Sequence, residues 1–241
     1  MFASAARVAV RVLLCLTATA VSQVPAPSPP STPQAGAEFF TDYDEQTFAR
    51  LAPAGQKIDM EKIDDDLLSA AVFHETNKRR KQHGLLPLRH ERKVRDAAQM
   101  QAEIMATRGA ISHHNPEIPE KASPDDRVRL AGLAPGFVAE NVGTAFGVSY
   151  KSGEPVYSRE TDGKKLLSRE PEGEAIPAHT YLTFARAWLD DLMASPLHRG
   201  SIISPKPVFL GVSCRLKRNE LGMPLFYGTQ VFYRPREEAR R

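Results

Sequence analysis

Most of the capacity of this sequence for metal binding or proton transfer lies in seven histidines: His74, His83, His90, His113, His114, His179 and His198. His74-Glu75 opens like the HExxH helix of zinc proteases, in which both imidazoles ride one helix face. Position 78 is Lys, however, and the pattern fails there. GxSxG, Walker, GxGxxG and paired CxxC motifs do not occur, so the commonest hydrolase, nucleotide and zinc-ribbon readings lack a basis. Three segments remain that set polar groups in unusual surroundings. Ser112-His113-His114-Asn115-Pro116 is a polar turn, and Ala139-Glu140-Asn141-Val142-Gly143 places an acid and an amide between apolar residues. Ser195-Pro196-Leu197-His198-Arg199 is the third. Each has a plain alternative: a loop histidine can be a solvated side chain, and Glu140 can cap a helix or pair with Arg127. Ser195 and His198 as nucleophile and base would need an orienting acid, and the spacing of three offers none.

The elements that must hold these groups are readable from periodicity. Asp64-Asp65-Asp66 supplies a cap and acids suited to a helix N-terminus, and Leu67, Ala70, Ala71 and His74 follow at helical spacing until Gly84. A second helix carries Val94, Ala97, Ala98, Gln101, Ile104 and Met105 on one face and stops at Gly109, just before the His113 turn. A third fits 125–131, led in by Pro124 and ended by Gly132. A fourth fits 178–194, with Leu182, Ala185, Trp188 or Leu189, and Leu192 as its buried stripe, and leads into the Ser195–His198 segment. The β-rich runs 208–214 and 225–233, joined through 219–222, come last. Helices first and strands last predict an α+β fold with helices on an antiparallel sheet. Within the charged stretch 147–177, Asp162-Gly163 between β-compatible runs signals either a hairpin or a mobile surface loop. Residues 38–60 give no firm pattern.

With 241 residues, 41% of them hydrophobic and 25% charged, the chain suits one globular domain with appendages. Lys+Arg 32 against Asp+Glu 29 is too nearly balanced to argue for nucleic acid. Arg7 and Arg11 precede an apolar stretch that ends in small residues, the pattern of a secretory signal peptide over 1–22, cleaved near 20–22. That stretch falls short of the roughly 20 residues that span a bilayer, so no transmembrane anchor is expected and the destination is extracellular or periplasmic. Residues 23–36 are Pro/Ser-rich and read as a linker within an N-terminal segment, 23–63, and a charged tail follows at 236–241. Cys15 would leave with the signal, which leaves Cys214 alone: no disulfide can form, and a buried strand position is expected for it.

In their order along the chain these segments resemble the CAP superfamily, the SCP-like extracellular domains of cysteine-rich secretory, antigen 5 and pathogenesis-related 1 proteins, in its bacterial secreted form. The resemblance rests on Asn77-x-x-Arg80-x-x-x-Gly84-Leu85-x-Pro87-Leu88, and on Ala97-Ala98-Gln99 to Met105 followed by Ser112-His113-x-Asn115-Pro116, with Ile111 in place of Phe. It continues through Arg127 to Gly132, then Glu140-Asn141-Val142, where Ala139 takes the place of Gly. Ser195-Pro196-x-His198-Arg199, Gly211-Val212 and Thr229-Gln230-Val231-Phe232 complete it. It implies a three-layer α-β-α sandwich over 64–235.

The resemblance also implies a cleft lined by two histidines and one or two acids, which holds a divalent ion such as zinc in some members. Here these would be His113, His198 and Glu140, a set that leaves an open coordination position. If Trp188 stands for the family tryptophan, Asp191 is the second acid. If the count runs back from Ser195, Leu192 takes that place and Asp191 loses it. His114, Asn141, Ser195, Arg199 and Gln230 would line the cleft. The fold carries many roles. The leading expectation is a secreted, monomeric binding module for an envelope or extracellular ligand, a lipid or a glycan. The alternatives are a metal-assisted hydrolase, with Glu140 as ligand or base, and an interaction protein that works through 147–177.

Overall fold

The computed structural model describes residues 36–161 and 163–236. The expected signal peptide, nearly all of the expected linker, Asp162 of the Asp-Gly pair and residues 237–241 of the tail lie outside the described residues. Seven helices and six strands follow in the order α1 Glu38–Thr41, α2 Glu45–Phe48, α3 Asp65–Gln82, β1 Arg89–His90, α4 Arg92–Arg108, α5 Pro124–Leu130, β2 Gly136–Phe146, β3 Tyr157–Thr161, β4 Lys164–Ser168, α6 Tyr181–Ala194, α7 Pro196–Ile202, β5 Phe209–Arg218 and β6 Pro224–Pro235.

A four-stranded sheet in the order β1-β5-β6-β2 forms the middle layer, antiparallel except where β1 joins β5. Strand alternation distributes its side chains to two helical layers. Leu210, Val212, Cys214, Phe226 and Phe232 pack with α3 and α6, while Val231 and Tyr233 pack with Val94, Ala97, Ala98 and Val128 of α4 and α5. This is the α-β-α sandwich. Two close approaches require glycine. A side chain at Gly211 would run into the backbone of Val94 and Arg95, and one at Gly228 into the indole of Trp188. Gly228 pairs across the ladder with Gly143, and the two leave a slot that the Trp188 ring fills. Cys214 is a free, buried thiol, as its β-rich surroundings predict.

The helix ends follow their capping chemistry. Asp64 accepts from Leu67 N at the start of α3, and Gly109 ends α4 in the left-handed region at φ 73°. The fourth predicted helix starts at Tyr181 rather than 178, because Thr180 and Thr183 form a capping box there. Ala178 and His179 are drawn instead to Val148 and Gly147. The Asp-Gly signal marks the β3–β4 hairpin, packed through Val148, Ile176 and Met223.

The reading of the sequence leaves β1, β2, α7 and the two helices within 38–58 without an assignment. β2 was hidden because Glu140 and Asn141 interrupt the apolar alternation expected of a buried strand. α7 is a single short helix led by Pro196. Residues 38–58 are not a detached segment, since Phe40, Phe48, Ala54 and Ile58 enter the main core.

Candidate functional site

The His113 turn is built by buried amides. Gln101 replaces an apolar residue on the inner face of α4, donates through Nε2 to Ser112 O, and accepts at Oε1 from Asn115 Nδ2 (2.7 Å). Asn115 also donates to Lys121 O (3.0 Å) and accepts from Arg108 Nη1 (2.8 Å). Both residues are fully buried, so the turn is held by satisfied polar groups rather than by apolar packing. From it the His113 side chain projects with 43% of its surface exposed.

Behind His113 lies Glu140, only 1% exposed, on β2. Its Oε1 is 2.9 Å from His113 Nδ1, and its Oε2 accepts from Arg127 Nη2 at 2.7 Å. Arg127, wholly buried on α5, also donates to His113 O (3.1 Å) and Lys121 O (2.9 Å). A buried carboxylate is stable only with such a partner, and the guanidinium fork supplies it while fixing the turn. Because the arginine-paired carboxylate accepts, His113 donates from Nδ1, and its Nε2 lone pair is left outward.

α7 carries the second histidine and is fixed at both ends. Asn141 Nδ2 donates to His198 O (3.0 Å) and to Gln230 Oε1 (3.1 Å), and Gln230 Nε2 donates to Thr76 Oγ1 (2.8 Å). Arg80 Nη1 donates to Ile202 O and Ser204 O, each at 2.7 Å. Burial, and then the nearby charge of His113, hold the His198 imidazole below its ordinary value. The two imidazoles are thus electrostatic neighbours.

The residues expected from the sequence divide accordingly. His113, Glu140 and His198 share one region. Asn141 and Gln230 are buried behind it as braces of α7. His114 and Arg199 are exposed, and half-buried Ser195 joins α6 to α7 without a side-chain cap. Asp191 is exposed on α6. Burial and Asp190 raise its pKa and Lys151 opposes them, and among the described residues it makes no hydrogen bond or ion pair with either histidine. The structural framework includes three residues that sequence reasoning did not assign to the site: Arg127, Gln101 and Asn115. Gln101 had a visible signal, a polar residue inside an apolar helical stripe.

For a metal, the donor set is short. Among the described residues no three His, Cys, Asp or Glu side chains group closely enough to hold an ion. Glu140 is buried behind His113 and held there by it and Arg127, so the residues present do not fit a centre with three protein ligands. His113 Nε2 and His198 are the donors that remain.

A family model described as the cysteine-rich secretory protein family, CAP, matches residues 73–232. Among solved structures, the chain is similar to an extracellular protein containing an SCP domain from Bacillus anthracis, at 19% identity and TM-score 0.48, covering 70% of this chain and 41% of that one. An outer surface protein from Borrelia burgdorferi is similar at 13% identity and TM-score 0.46, covering 76% of this chain and 99% of that one. A cysteine-rich secretory protein from Staphylococcus aureus is similar at 15% and 0.40, over 70% and 39%. This chain spans about two fifths of the length of the Bacillus protein. No curated protein matches the sequence significantly. No described helix is long and apolar enough to cross a membrane.

Proposed function

This chain belongs to the cysteine-rich secretory protein (CAP) family, and from that premise we propose that it is an exported binding module whose cleft presents His113 and His198 to a polar ligand of the cell envelope or extracellular space. A glycan or a lipid headgroup fits this chemistry. The observation that carries the reading is Glu140. With one oxygen on His113, the other on Arg127 and its side chain 1% exposed, it orients an imidazole and is shut away from the water a general base would have to activate. This supports binding over the hydrolase alternative, which requires a general base within reach of substrate. A divalent ion such as zinc would be held by the two imidazoles alone, with its other positions left to water or ligand donors.

The test is calorimetric titration of the metal-stripped chain with zinc, alongside sedimentation with insoluble envelope glycan and with anionic lipid vesicles. Saturable binding to any of these probes that falls at least about tenfold, roughly 1.4 kcal/mol, in His113→Ala/His198→Ala supports the cleft as the ligand site. Binding unchanged in that variant, or absent for all three probes, removes the reading.

A further inference from the structure

The N-terminal segment that precedes the family match is attached to the domain through histidine. α1 and α2 each bury one phenylalanine, and each ring lies flat on an imidazole of the domain. Phe48 stacks on His74 of α3 at 4.4 Å between centroids, and Phe40 stacks on His90 of β1 at 4.1 Å. His74 donates from Nε2 to Phe39 O at 2.7 Å. His90 Nδ1 is buried without a hydrogen-bond partner. A charged His90 would bury a second N–H without a partner, and a charged His74 would hold its charge in a ring almost wholly out of water, so both sites favour neutral imidazole. Beyond α2 the attachment changes character: Ile58 N donates to His179 O at 2.8 Å, which anchors the chain there independently.

The geometry points to an acid-released strap: residues 36–52 dock on α3 and β1 while His74 and His90 are neutral, and protonation of the two frees them. The surrounding charges do not remove the effect. Asp44 and Glu45 of the strap favour a charged His74, but Glu45 is engaged with Lys81 at 2.6 Å, and Arg50, Lys78, Lys81 and Arg186 stand around the same cavity with Glu75. His90 faces Arg95, which opposes its charge, and Asp66, which favours it and is itself paired with Arg95. Burial holds His74 below the ordinary imidazole value, and burial with Arg95 takes His90 down to about 4.

The sign follows from linkage. A released histidine titrates near pH ~6.5 and a docked one lower, so the docked form binds fewer protons. Docking is therefore strongest above about 6.5 and weakens as pH falls, by up to about tenfold per pH unit for each histidine. The strap also walls, through Phe48, a cavity of about 530 Å³ floored by Ala71, Leu182 and Ala185, which release would widen.

The test is hydrogen exchange read by mass spectrometry on the full chain at about pH 7 and about pH 5, corrected for intrinsic rates. Amides of residues 38–50 should lose at least about tenfold in protection at the lower pH, while those of α4 keep theirs. His74→Phe/His90→Phe should abolish the loss. His90→Phe alone preserves the stack, breaks no hydrogen bond and should shrink the loss, which serves if the double variant folds poorly. Protection of 38–50 that ignores pH, an undiminished loss in His90→Phe, or α4 failing at the same pH would each overturn the proposal.

Discussion

His113 meets a buried carboxylate, whereas His74 and His90 meet phenylalanine rings, and the two regions store their stability differently. Around His113 the energy lies in a chain of charge-assisted bonds, from Arg127 to Glu140 to the imidazole, closed by Gln101 and Asn115. Each residue of it has a partner, although Arg127 Nε is buried without one, and removing one residue strands another in low dielectric. Around His74 and His90 the energy lies in apolar contact with Phe48 and Phe40. That contact tolerates changes of shape and not of charge. One region is therefore sensitive to deletion and the other to acid.

The largest expected effect breaks the first region. Arg127→Ala leaves Glu140 buried without its ion-pair partner and takes the donor from His113 O, and should cost about 3–5 kcal/mol in chemical denaturation. The double variant Arg127→Ala/Glu140→Ala should cost less than the sum of the singles, because the stranded charge is gone. Phe48→Leu in the second region should cost only about 1 kcal/mol, as a conservative apolar exchange. If the Arg127 and Phe48 variants cost the same, the contrast fails.

Acid should act the other way round. His74 and His90 titrate below their ordinary value in the folded chain, so their contribution is complete above about pH 6.5 and declines below it, by up to about 1.4 kcal/mol per pH unit each. Denaturation midpoints between about pH 7 and about pH 5 should fall more steeply for the wild type than for His90→Phe. Parallel slopes would place the acid sensitivity elsewhere.

How much of this was legible in the sequence depended on periodicity. The long helices α3, α4 and α6 and the β5–β6 pair announce themselves through apolar spacing and capping residues, whereas Asp162-Gly163 signals a hairpin and a surface loop alike. β2 does not, because the two polar residues that interrupt it are satisfied by partners far along the chain: Glu140 by Arg127, and Asn141 by Gln230. Motif order located His113, Glu140 and His198. It could not tell a ligand from a brace, since Asn141 and Gln230 are as polar as the ligand candidates yet are buried. Asp191 shows the same limit. Its assignment hung on which residue counts as the family tryptophan, and the fold leaves it exposed on α6 beside Asp190. The strap was unreadable because its two helices are four residues each, too short to show a period.

Bracing makes a prediction of middle size. Asn141→Ala removes the donor to His198 O and to Gln230 Oε1, and should cost about 1–2 kcal/mol. It should also loosen α7, visible as faster exchange of the 197–202 amides, while the His113 turn keeps its protection. Equal loosening of both would mean that the two halves of the cleft are one cooperative unit.

The smallest effect on stability is the sharpest test of function. His113→Ala removes a side chain 43% exposed and leaves Glu140 still paired with Arg127, so the fold should lose no more than about 0.5–1 kcal/mol. A residue kept by a buried ion pair for its outward Nε2 should matter to the ligand instead, and zinc or glycan binding should weaken at least about tenfold. If His113→Ala is as damaging to stability as Arg127→Ala, the imidazole is one more brace. The cleft would then owe its shape to packing, and the ligand-facing role would pass to His198 alone.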